Sequence, residues 1–137
     1  MSRQIRRGTE EATRTLVENQ MYIATSTVTI ANGESLSGAL SLAPGTRQLA
    51  AIQMPAAWTE ASLTFAVSAD GTTFSPLYFN GSEYTVEAAG GAVASGAIAL
   101  EPRVFAAWPY VKVRSGTSGT AVNQAAARVL TVLTRAV

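Results

Sequence analysis

The sequence predicts an all-β chain folded as an antiparallel sandwich or barrel. Three observations carry that expectation. Short runs of β-branched, aromatic and aliphatic residues recur at close spacing, each closed by Gly, Pro, Asn or Asp. Within the clearest runs apolar and polar residues alternate with a period of two, the signature of a half-buried strand. Beyond residue 22 no apolar stripe repeats at helical spacing. A chain of 137 residues suits one domain.

The first strand signal is Thr27-Val28-Thr29-Ile30, closed by the turn residues Ala31-Asn32-Gly33-Glu34. Leu36, Leu40 and Leu42 follow in short pieces broken by Gly38 and Ala43-Pro44-Gly45. Leu49 to Met54 is the next candidate, stopped by Pro55. Ser62 to Ser68 is the strongest, with Leu63, Phe65 and Val67 on one face and Thr64, Ala66 and Ser68 on the other. Asp70-Gly71 makes a tight turn in which Gly takes a positive φ at little steric cost. Leu77-Tyr78-Phe79 reads as a strand ended by Asn80-Gly81, and Tyr84-Thr85-Val86 as another.

Residues 88–96 are almost wholly Ala, Gly, Val and Ser, so this stretch is expected to be a mobile loop. Ile98 to Leu100 leads to Glu101-Pro102, and Val104 to Trp108 reads as a turn or one helical winding. Tyr110 to Arg114 alternates with Val111 and Val113 on the core face, and Ser115 to Thr120 is a polar loop. Arg128 to Thr134 closes the fold.

Charge divides the chain. Seven charged residues stand before residue 19: Arg3, Arg6, Arg7, Glu10, Glu11, Arg14 and Glu18. The remainder is sparsely charged. Residues 1–21 are therefore expected to form an N-terminal arm, with Thr9 capping a short helix, and residues 22–137 the β-sandwich domain. Arg3, Arg6, Arg7, Arg14 and Leu16 are the candidate contacts of that arm with a neighbouring subunit.

Composition excludes most chemistry. There is no Cys, no His, a single Asp (Asp70) and a single Lys (Lys112). Thiolate nucleophiles, zinc-thiolate sites and histidine bases are absent by residue type. A carboxylate pair for glycoside hydrolysis, or a calcium cage, would have to be drawn from one Asp and eight scattered Glu residues. Gly90-Gly91 and Ser115-Gly116-Thr117-Ser118-Gly119 lack the lysine and the following helix of a phosphate cradle. Neither enzyme activity, catalytic residues, metal nor cofactor is expected. A net charge of +1 gives no field for nucleic acid or anionic lipid, and no 18-residue apolar window exists for membrane insertion. The basic N-terminus lacks the apolar core of a secretory signal, so a soluble intracellular product is expected.

Nine aromatic residues fall in two zones, 58–84 and 105–110, and Tyr22 stands apart. Trp58, Phe65 and Phe74 are expected in the core and at its ends. Tyr78, Trp108 and Tyr110 adjoin loops and form a candidate platform on which a sugar ring could stack.

The run from Pro55-Ala56-Ala57-Trp58-Thr59-Glu60-Ala61-Ser62-Leu63-Thr64-Phe65 on through Ala66-Val67-Ser68-Ala69-Asp70-Gly71-Thr72-Thr73-Phe74 resembles the strand and S-x-D-G-x-x-F hairpin of galactose-binding-like (discoidin-like) jelly rolls. Tyr110-Val111-Lys112-Val113-Arg114 resembles their late strand. Residues 28–135 are also similar to small proteins encoded among virion genes of tailed phages of alphaproteobacteria. That similarity is carried by Trp58-Thr59-Glu60-Ala61-Ser62-Leu63-Thr64-Phe65, by Ser68 to Phe74 and by Val113 to Ser118. The resemblance implies a capsid decoration, cement, spike or fibre protein made in the host cytoplasm and carried on the virion, its outer head surface being the expected place and the N-terminal arm its tie to the shell. Its implied partners are the major capsid protein or other virion subunits, in a homo-oligomer for which closed symmetry favours a trimer. Adhesion to host surface polysaccharide, or a head–tail or tail accessory role, are the alternatives. The acidic calcium loops of discoidin-like lectins are missing here, which departs from a lectin.

Overall fold

A computed structural model describes residues 22–43, 46–87 and 91–137. The expected arm, with Arg3, Arg6, Arg7, Arg14 and Leu16, lies outside the described residues.

Ten strands form. They are β1 (Ile23–Ile30), β2 (Leu40–Ser41), β3 (Arg47–Gln53), β4 (Leu63–Ser68) and β5 (Ser75–Pro76), then β6 (Tyr78–Phe79), β7 (Ser82–Glu83), β8 (Ala97–Ala99), β9 (Tyr110–Ser115) and β10 (Arg128–Ala136). One sheet has the order β1-β10-β3-β8 and the other β2-β9-β4-β5, with β6 and β7 as a separate hairpin. Every strand pairing among the described residues is antiparallel. The chain crosses between the two sheets at almost every connection, and this order is that of an eight-stranded jelly roll. The all-β sandwich expected from sequence is thus present.

Alternation decides which faces meet. Val28, Ile30, Leu130, Val132, Ile52 and Ile98 from the first sheet and Leu63, Phe65, Val67, Val111 and Val113 from the second form one buried cluster. Phe65 sits in its middle, 5.1 Å from Phe105 edge-on and 5.8 Å from the stacked ring of Tyr84. The Tyr84 hydroxyl accepts the Glu101 N–H at 3.0 Å, which fixes the entry to the 3-10 turn Pro102–Phe105. Leu49 and Ile52 are both buried although they are three residues apart. A register shift between Leu133 and Thr134 explains this, because the β3 strand carries one extra residue, Ala50, and its phase is reset there.

Gln124 holds the loops at one end. It is buried, its Oε1 accepts from Thr59 N–H (2.8 Å) and Arg128 Nε (3.1 Å), and its Nε2 donates to Thr59 O (3.0 Å) and Ser115 Oγ (2.7 Å). Among the described residues no buried side-chain polar atom is left without a partner.

Several expectations are corrected. Of the stretch read as a mobile loop, residues 88–90 lie outside the described residues. Residues 91–96 are tied down: Ala92 N–H bonds Ala61 O, Ser95 N–H bonds Pro55 O, and Met54 N–H bonds Gly96 O. Backbone hydrogen bonds hold here what side chains cannot. Phe74 is not a core residue. The loop after β4 carries it to the outer face of the second sheet, where its ring lies 4.4 Å from Lys112 Nζ. For the same reason Lys112 does not simply point to solvent. Trp58 packs at the rim of the core, its Nε1–H donating to Ala61 O. The segment 77–86 is not two plain strands. Leu77 N–H bonds Phe65 O and Val86 pairs with Leu63, so both ends lie along β4. Between them the β6–β7 hairpin leaves the sheet on an Asn80-Gly81 turn with both φ values positive (54° and 83°), the geometry that suits strand twist.

Candidate interaction surface

The two sheets each have an outer face, and the two faces are built differently. On the second sheet the outward residues form the rows Tyr110–Ser68, Lys112–Ala66–Pro76 and Arg114–Thr64. The protein covers these rows itself. Arg114 Nη1 lies 3.2 Å from Glu83 Oε2 on the β6–β7 hairpin, and only 12% and 13% of the two side chains are exposed. Glu83 also accepts the Ser118 N–H at 3.1 and 3.2 Å. Phe74 lies against Lys112, and the Tyr110 ring packs on Gly71, where an added Cβ would stand 3.2 Å from it. Thr64, Ala66 and Ser68 are consequently buried, so β4 is enclosed on both faces.

The loop beside this face is organised by Asp70. Its Oδ1 accepts the N–H groups of Thr72 (2.8 Å) and Thr73 (2.9 Å) and the Ser68 hydroxyl (2.9 Å). Those bonds, the Thr73 N–H foremost, hold the carboxyl down from its ordinary 3.8 to about 2. This single Asp is a turn residue bonded by its own loop. At the 3-10 turn Arg103 hydrogen-bonds Glu101 and holds that carboxyl below its usual range. Among the described residues no three acidic side chains come together as a metal cage, and no helix is long and apolar enough to cross a membrane.

On the first sheet the outward residues run in unbroken rows. Thr27, Thr131, Gln53 and Ala97 form one; Thr25, Leu133, Ala51 and Ala99 form the next. Thr29 and Val129 flank them on one side, Ile23 and Arg135 on the other, with Gln48 buried beside Arg135. Arg135 carries the sole charge of these rows, and its guanidinium donates to Gln48 Oε1 at 3.3 Å. No loop folds over this face among the described residues, and Val129 is 51% exposed. Small and β-branched side chains lose little rotamer freedom on docking, and depletion of charge is the mark of interface centres.

The residues expected to form a glycan platform are placed apart in character. Tyr78 is 60% exposed on the hairpin beside Phe79. Trp108 is half-buried against the core, and Tyr110 is half-buried on Gly71. The ring contacts among the described residues join Phe65, Tyr84 and Phe105, and none joins Tyr78, Trp108 and Tyr110. The threonine and alanine rows are not singled out by sequence reasoning. Their signal is the Thr25, Thr27, Thr29 alternation opposite Val28 and Ile30, but the rows appear only once strand order is known.

No family model and no curated protein matches the chain. Solved structures to which it is similar include the SPBc2 prophage-derived protein YomS, at 9% identity over 82% of this chain and 94% of that one, TM-score 0.41. The mitogen of Yersinia pseudotuberculosis matches at 10% identity over 82% and 84%, TM-score 0.40. The cyanophage Pam1 capsid asymmetric unit matches at 12% identity over 84% of both chains, TM-score 0.32. The strand order, not these likenesses, carries the fold.

Proposed function

We propose that this chain is a structural virion protein, a capsid decoration, cement or head-spike subunit. The observation that carries the reading is the outer face of β1-β10-β3-β8, which no loop covers among the described residues and whose rows carry one charge, Arg135, on a chain without Cys or His. The resemblance of residues 28–135 to small virion proteins of tailed phages points the same way. The molecule acts by contact and not by catalysis. Residues 1–21 tie it to the shell through Arg3, Arg6, Arg7, Arg14 and Leu16, and the sandwich is held beside its neighbours by the bare face.

Imaging of purified particles at chain-tracing resolution tests this directly. The expected result is repeated copies on the outer surface of the head. Absence from the head, or presence only at the head–tail junction or tail, overturns it. Reconstitution adds residue-level evidence: Thr131→Lys with Ala97→Lys, and separately Arg3, Arg6 and Arg7 changed to Glu, each lower occupancy on the shell. Full occupancy by both variants defeats the contact reading.

A second reading, adhesion to host surface polysaccharide, is favoured by the exposed rings of Tyr78 and Phe79 on the projecting hairpin. Glycan-array signal that disappears in Tyr78→Ala supports it, and silence of the wild-type chain removes it.

A further inference from the structure

Four strands end the two sheets, and three of them are poor templates for another chain. β8 has three residues, β2 has two, and β5 has two of which one is Pro76. The fourth, β1, has eight, and Ile23-Ala24-Thr25-Ser26-Thr27-Val28-Thr29-Ile30 contains no charge, Pro or Gly. None of the usual devices that blunt an edge is present in it.

The pairing of β1 fixes which of its backbone groups are open. The Ala136 N–H bonds the Tyr22 carbonyl, so even-numbered residues of this strand exchange hydrogen bonds with β10 and odd-numbered ones point away from it. The Thr29 carbonyl accepts the Gly38 N–H at 3.2 Å, which closes that end. Ile23, Thr25 and Thr27 face no strand among the described residues.

We propose that a second copy of this chain occupies the edge, β1 against β1 in antiparallel array across a two-fold axis at Thr25. The open stretch is centred on Thr25, so Thr25 faces its equivalent and Ile23 faces Thr27 of the other copy. That register satisfies all three open residues of each chain with about six hydrogen bonds. The outward side chains brought together are Ile and Thr, a cross-strand combination with no like charges to repel. The contact also places the partner beside Tyr22, which is 67% exposed at the start of the strand. A head-to-tail ring would need a second open edge of matching length, and β8, β2 and β5 are too short. The two-fold contact therefore replaces the three-fold arrangement expected from sequence. It joins two copies of β1-β10-β3-β8 into one continuous sheet and merges their bare outer faces. The inference stands independently of any place on a virion.

Analytical ultracentrifugation of the full chain over a dilution series tests it. Wild type is expected to sediment at twice the chain mass of 14.2 kDa and to dissociate on dilution. Thr25→Pro removes an outward N–H and leaves the β10 ladder intact. It is expected to weaken the dimer by at least about tenfold with unchanged circular dichroism. Thr25→Cys gives an independent reading, since the chain has no other cysteine. Equivalent residues in a hydrogen-bonded antiparallel pair stand about 5.5 Å apart at Cα, within disulfide range. Mild oxidation is expected to link Thr25→Cys into a covalent dimer and to leave Ser118→Cys unlinked. A wild-type chain that stays monomeric throughout, the result if a segment of the same chain covers β1, overturns the proposal. So does a Thr25→Cys protein that links no faster than Ser118→Cys.

Discussion

The two outer faces of the sandwich are made from the same kind of strand and have been finished in opposite ways. The face of β2-β9-β4-β5 carries Tyr110, Lys112 and Arg114, and the protein answers each with a group of its own: Gly71, Phe74 and Glu83. The face of β1-β10-β3-β8 carries Thr, Ala, Val and Leu and is answered by nothing among the described residues. A face that is already satisfied contributes to stability, while a bare one is available for contact. Substitutions on the first should register in folding, and those on the second in association.

The largest effect on stability is expected from Arg114→Met. It strips a mostly buried Glu83 of its ion pair, and the cost is about 2–3 kcal/mol in chemical denaturation. A loss below about 0.5 kcal/mol would mean that the covered face is covered without being held. Gly71→Ala is next, because φ is +80° and the new Cβ meets the Tyr110 ring at 3.2 Å; about 1–2 kcal/mol is expected. A double variant with Tyr110→Ala recovers part of that loss if the ring contact is responsible.

A smaller, pH-dependent effect belongs to Asp70. Its folded pKa is depressed to about 2 from 3.8, so its stabilisation is complete above 3.8 and is lost as pH falls toward 2. Melting temperatures measured across that window should fall less steeply for Asp70→Asn than for wild type; parallel curves would deny the loop its organising role. Smallest of all is Ala97→Lys on the bare face, with a change in stability within about 0.5 kcal/mol. Loss of shell binding without loss of fold is the outcome that sharpens the contrast. Destabilisation comparable to Arg114→Met would erase it.

Much of the fold is legible in residue order, because alternation in Thr27 to Ile30, Leu63 to Val67 and Tyr110 to Arg114 reports burial directly. The limits are physical. Thr64, Ala66 and Ser68 look like a solvent face, yet segments distant in sequence cover them, and no local pattern reports a lid. Phe74 looks like core because it is large and apolar, but its ring is used against the Lys112 stem. The stretch ending at Gly96 looks shapeless because its order comes from backbone hydrogen bonds, which side-chain composition does not record. The bare face is the least legible of all. Thr27, Thr131, Gln53 and Ala97 become neighbours only through strand order, and strand spacing does not determine that order.

The β6–β7 hairpin begins and ends against β4, with Leu77 and Tyr84 joined at its neck by a 2.9 Å hydrogen bond. Everything from Tyr78 to Glu83 is thus a detour whose length the jelly roll does not fix, provided the carboxylate that reaches Arg114 is kept. A longer or different tip here is expected to leave the sandwich beneath it unchanged. A foreign peptide grafted between Asn80 and Gly81 would be displayed on the same stalk.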